Sequence, residues 1–203
     1  MAAESESPKH RAIVDAATEL FAARGYGAVS MDAIARAADV SKATLYAHFT
    51  SKDSLFAMIV KVACREHIMP GDELPDGGTA DGAGDVQAAL EAIGGRILRF
   101  FLLDRSLAIH RLVIAESARF PELARAFYDN GPAAGRDMLA AWMARRPALV
   151  VPDPDVAAEQ FIGLLRTGLY LRATLGLASE PDEAAIDAAV TAAVGTFMRA
   201  YTA

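Results

Sequence analysis

The chain is 203 residues long, 53% apolar and 23% charged, the balance of a folded protein with a sizeable core rather than of a disordered one. Its formal charge of −6 excludes nucleic-acid binding by bulk charge alone; residues 1–53 carry six basic and seven acidic side chains, and the remaining acidic excess lies beyond them. One cysteine, Cys64, leaves no intrachain disulfide, the start is too acidic for a secretory signal, and the uncharged run from Ala188 to Met198 is too short to span a bilayer, so a cytoplasmic protein is expected.

Helical periodicity dominates, and no alternating strand pattern is found. Ile13, Ala16, Ala17, Leu20 and Phe21 repeat as one buried helix face, which Gly25 should end. Ser30 is placed to cap a short helix, Met31 to Ala38. Asp39-Val40-Ser41 forms a tight turn into a second short helix, Lys42 to Phe49. Residues 50–53 should cap a fourth, running to about Met69 on Leu55, Ile59, Val62 and Ala63. The stretch Pro70 to Asp85 holds five glycines, two prolines and five acidic residues, a composition that buries nothing and predicts a mobile surface loop. Helices are expected again at Val86 to Leu103, at Ser106 to Arg119, and from Pro121 to Arg146 with a kink at Gly131-Pro132. Beyond the breaker Pro147, Pro152 and Pro154, two more are expected at about 155–175 and 181–201. The predicted fold is therefore all-α with about nine helices. The chain would divide into a three-helix domain, residues 8–53, and a larger helical bundle, 54–203.

The short helices 31–38 and 42–49 have the spacing of a helix-turn-helix, and the surface of the second strengthens that reading. Leu45 and Phe49 point toward a core. Ala43, Thr44 and Ala47 form a low opposite crest, flanked by Tyr46 and His48, the shape that lets a helix approach base edges while longer donors reach the phosphates. Residues 11–60, and above all VSMDAIARAADVSKATLYAHFTSKDSLF (29–56), resemble the DNA-binding domain of the TetR family of bacterial regulators. The resemblance implies that Ser30 and Arg36 touch the DNA backbone, that Ser41, Lys42, Ala43 and Thr44 enter the groove, and that Tyr46, His48 and Lys52 clamp phosphates. The chain departs from the family pattern at two glycine positions. Asp39 occupies the turn, where its tolerance of the left-handed conformation should preserve the geometry. Ala43 adds a methyl group to the groove face. Further on, RLVIAESARFPELARAFYDNGP (111–132) is similar to the C-terminal domain of the AefR-like branch of these regulators.

The expected function is sequence-specific regulation of transcription, by a repressor released by a small apolar or amphipathic ligand. Its partners would be a palindromic double-stranded operator and a second copy of itself, with no membrane. Candidate pocket residues are Cys64, His67, Phe100, His110, Phe127, Trp142, Phe161 and Tyr170, since ligand pockets are mostly apolar. The dimer contact is assigned to the last two helices through Leu165, Gly168, Leu169, Ala189, Val190, Val194 and Phe197. Helix 181–201 is apolar nearly all round and should be covered on two sides. No metal site or cofactor is expected, because His67 and His110 lack ligand partners at helical spacing. No catalytic motif appears, and a helical ligand-binding or scaffolding module without specific DNA binding is the alternative class.

Overall fold

The computed structural model describes residues 7–68, 74, 82–177 and 182–202. Among them eleven α-helices and one π-helical turn are found, and no strand. They divide into two units, the first reaching to Ala63 and adding Ala108–Gly131, the second formed by Cys64–Leu107 and Pro132–Ala203. The boundary at 53/54 expected from sequence is thus not where the chain divides. The opening turns of the fourth helix bring Leu55, Phe56 and Ile59 into the first core, and segment 108–131 joins that unit.

In the first unit α1 (Pro8–Arg24) starts at Ser7, whose hydroxyl accepts from the His10 N–H, and ends at Gly25, which takes φ +79° and donates its N–H to the Phe21 carbonyl. Helices α2 (Met31–Ala37) and α3 (Lys42–His48) are capped by Ser30 and Ser41, which accept from the N–H groups of Ala33 and Thr44. Ser51 and Ser54 exchange reciprocal hydrogen bonds at the head of α4 (Lys52–Ile68). Ile13, Ala17, Phe21, Ile34, Leu45, Leu55, Phe56 and Ile59 are sealed at 0–1% exposure. The rings of Phe21, Tyr26 and Phe56 pack on one another with centroids 5.2–5.9 Å apart. The part of α6 (Asp104–Glu116) from Ala108 onward and α7 (Pro121–Tyr128) complete the unit, with Phe120 edge-on to Tyr26 at 5.4 Å.

In the second unit α5 (Ala83–Leu102) packs on α9 (Pro154–Leu165), α10 (Gly168–Thr174) and α11 (Glu183–Tyr201), and α8 (Ala134–Met143) packs on α9. Gly94 leaves room for the side chains of α9 and α11, since a Cβ there would stand 3.3 Å from Phe161, Leu165 and Val190. The interruption expected at Pro132 takes the form of the π turn Asp129–Ala133 between α7 and α8; proline offers no N–H to continue the ladder.

Three expectations need correction here. The helix foreseen at 155–175 is two: Thr167 is extended at ψ −162°, its hydroxyl donates to the Leu164 carbonyl, and Gly168 follows, so the backbone leaves the helix at Arg166 and restarts. Leu74, inside the stretch expected to bury nothing, is 8% exposed within the second core; residues 70–73 and 75–81 of that stretch lie outside the described residues, and α5 begins at Ala83. Finally, Leu165, Val190, Val194 and Phe197, assigned to a partner, are at most 4% exposed and form this chain's own core. Leu169 and Ala189 are half-buried beside it, and only Gly168 of that set is exposed.

Candidate nucleic-acid interface

The turn between α2 and α3 is closed by hydrogen bonds from Asp39 N–H to Arg36 O and from Val40 N–H to Ala35 O, with Asp39 at φ +52°. A carboxylate-bearing residue thus adopts the left-handed conformation that glycine usually supplies. The turn orients α3 so that Leu45 and Phe49 are buried while Ser41, Lys42, Ala43, Tyr46, Ala47 and His48 face solvent and Thr44 is half-buried. Phe49 itself lies just past the helix end, in extended backbone. The low crest with longer flanking donors is present: the Ala43 and Ala47 methyls leave it shallow, and Tyr46 is 43% exposed. Ser30 and Arg36 are exposed on α2.

Several side chains of this surface are engaged. The Ser41 and Thr44 hydroxyls share a hydrogen bond of 2.8 Å. Lys42 Nζ lies 2.9 Å from Asp32 Oδ1, and the hydrogen bond and charge of that carboxylate raise the ammonium's pKa. His48 stands edge-on to His10 at 5.9 Å, and His10 also faces Phe49 at 5.0 Å. Asp32 and His10 were not singled out by sequence reasoning. Their partners are ten and thirty-eight residues away, and no helical spacing links them.

Lys52 departs from expectation. Its ammonium donates to the carbonyls of Tyr26 (2.8 Å) and Val29 (3.0 Å) and lies 4.2 Å from the centre of the Tyr26 ring, instead of projecting toward a phosphate. Desolvation there lowers its pKa. The Tyr26 hydroxyl donates to Asp53, and burial together with that carboxylate pushes the phenol pKa upward. Lys52 therefore fastens the loop leading into α2.

The eight candidate pocket residues do not line one described cavity. His110 faces Phe127 at 5.9 Å in the first unit. In the second, Trp142 (2% exposed) and Phe161 (0%) are core filling, the latter edge-on to Phe197, so they are corrected from pocket to core. His67 is exposed over the Phe100 ring at 5.6 Å, Cys64 packs against the same core, and Tyr170 sits in a satellite cluster with Leu107 and Ala173. Burial raises the Cys64 thiol pKa to about 11. An open groove of about 360 Å³ on α9 and α11 is lined instead by Gln160, Gly163, Leu164, Thr167, Thr196, Phe197, Ala200 and Tyr201. No three potential metal ligands converge among the described residues. No described helix is long and apolar enough to cross a membrane.

A capped helix-turn-helix with an exposed, shallow second helix defines a DNA-binding protein of the helix-turn-helix class. Residues 13–59 match the family model described as bacterial regulatory proteins of the tetR family, and residues 88–203 match that of the AefR-like transcriptional repressor C-terminal domain. The chain belongs to the TetR family and is a DNA-binding transcriptional regulator, not an enzyme. It is 35% identical over 127 residues to the HTH-type regulator SrpR of Pseudomonas putida, a match covering 59% of this chain and 58% of that protein. It is 33% identical over 132 residues to the HTH-type regulator TtgW, also of Pseudomonas putida, covering 61% of this chain and 96% of that protein. Among solved structures it is similar to the flavonoid-responsive regulator FrrA, with 38% identity and a TM-score of 0.76 over 96% of this chain and 97% of that one.

Proposed function

We propose that the chain is a cytoplasmic repressor that reads a palindromic operator with α3 and releases it on binding a small apolar or amphipathic ligand. The exposed crest of α3 carries this reading. Ser41, Ala43 and Thr44 would approach base edges, Lys42 at the start of the helix would meet a phosphate at the mouth of the groove, and Ser30, Arg36, Tyr46 and His48 the phosphates on either side. Lys52 is left out of that contact set because its donors are spent on the protein's own carbonyls. Sequence selection from random DNA tests the assignment: recovery of a two-fold symmetric site is expected, and an unenriched pool at moderate salt refutes it.

A symmetric dimer fits the second unit, though through a different face from the one first assigned. Ala184, Ala188, Ala192, Thr196 and Ala200 recur every four residues along α11, all exposed, beside the exposed Gly163 and Thr167. Such a stripe of small side chains allows close helix approach. Two recognition helices related by a two-fold axis would then meet half-sites about one duplex turn (roughly 34–36 Å) apart. Sedimentation at micromolar concentration should give a dimer, and a stable monomer would refute it. The ligand reading draws support from FrrA, whose description names flavonoids as its signal. A planar aromatic compound is the first class to titrate against operator binding. Reciprocity demands that operator weaken the ligand by the same factor.

A further inference from the structure

Lys42 opens the recognition helix, yet its ammonium is turned back across the turn. Nζ lies 2.9 Å and 3.0 Å from the two carboxylate oxygens of Asp32, in the first turn of α2. Both partners are open to water, with side chains 62% and 48% exposed. A pair of this kind is weak and screened by salt, and a phosphate offers an ammonium much the same chemistry as a carboxylate does. The contact is therefore readily exchanged, and what replaces it depends on how closely DNA approaches.

Sequence-independent binding is set by the number of phosphates neutralised. In a loosely docked complex a Lys42 still paired with Asp32 brings no net charge, because its counter-charge travels with it. With α3 fully seated in the groove, a phosphate within hydrogen-bond range of the Lys42 ammonium would displace the carboxylate. We propose that Asp32 is a specificity-determining residue of the DNA surface, withholding Lys42 from phosphates in loose, sequence-independent complexes and yielding it where the recognition helix is fully seated. The inference rests on α3 being the DNA-reading helix.

The test uses the full-length chain, Asp32→Asn, Lys42→Ala and the double variant. Each is titrated over a salt series against a random-sequence duplex and a duplex selected by the wild type. Asp32→Asn should steepen the slope of log K against log salt on the random duplex by about 0.9, one more phosphate contact, which tightens that complex roughly fivefold at 0.15 M salt. The selected duplex should gain less, so the ratio of the two affinities falls. In the Lys42→Ala background the same substitution should leave the slope unchanged. Asp32→Glu, which keeps the charge, should behave as the wild type, and thermal unfolding of each variant separates lost folding from altered binding. An unchanged slope in folded Asp32→Asn overturns the proposal, as does equal steepening with and without Lys42, which would reduce the effect to general charge. A wild type that enriches no sequence from random DNA and does not bind the random duplex overturns the DNA-reading assignment itself, a result none of the Asp32 outcomes imitates.

Discussion

Substituting Lys52 by Met separates two roles that a sequence leaves indistinguishable. The ammonium makes two charge-assisted hydrogen bonds to backbone carbonyls, at 2.8 and 3.0 Å, and lies 4.2 Å from the Tyr26 ring centre. Bonds of this type contribute about 1.5–3 kcal/mol each, and the cation–aromatic contact about 0.5–1 kcal/mol. Against this stands the cost of holding a partly desolvated charge, the same desolvation that lowers its pKa. Methionine keeps most of the stem's packing but leaves the Tyr26 and Val29 carbonyls without that donor, so Lys52→Met should destabilise the chain by about 2–4 kcal/mol. Urea unfolding followed by circular dichroism measures it as a fall in the midpoint with little change in slope. Were Lys52 a phosphate contact instead, the same variant would keep its stability and lose about 0.9 from the salt dependence of DNA binding. A stability change under about 0.5 kcal/mol with a shallower salt slope would refute the internal role.

Tyr46→Ala should weaken binding to specific and random DNA alike by about 1–2 kcal/mol in a gel shift at fixed salt, whereas Thr44→Ala should chiefly broaden the set of selected sequences. Gly27→Ala would bring a methyl group to 3.0 Å from two atoms of the Phe120 ring. A melting-temperature loss equivalent to about 1–3 kcal/mol is expected, largely recovered by Phe120→Leu in the same chain. Alkylation of Cys64 by iodoacetamide needs the thiolate, and with a thiol pKa of about 11 the rate should keep climbing up to about that pH; a plateau near 9 would mean a thiol in contact with water. Gly163→Arg should give a folded monomer by sedimentation, whereas Val194→Glu, at a position with no exposure, should unfold the chain rather than split it.

The features legible from sequence are those written locally. The helical periods of α1 to α3, the Ser30 cap, the stop at Gly25, the left-handed Asp39 and the break at Pro132 each follow from residues within a turn or two of one another, and these stand as expected. The crest of α3 belongs with them, because a seven-residue helix with Leu45 inward leaves Ala43 and Ala47 outward by geometry alone. What the tertiary structure decided concerns side chains whose partners lie far along the chain. Lys52 and Lys42 are both exposed-looking cations in a DNA-binding motif; one finds two loop carbonyls more than twenty residues earlier, the other a carboxylate ten residues before it. The faces of α9 and α11 were likewise undetermined. A helix apolar on most sides carries no signal saying which side its own core takes, and it is the packing of α5 on α9 and α11, with Gly94 leaving room for their side chains, that places Val190, Val194 and Phe197 inside.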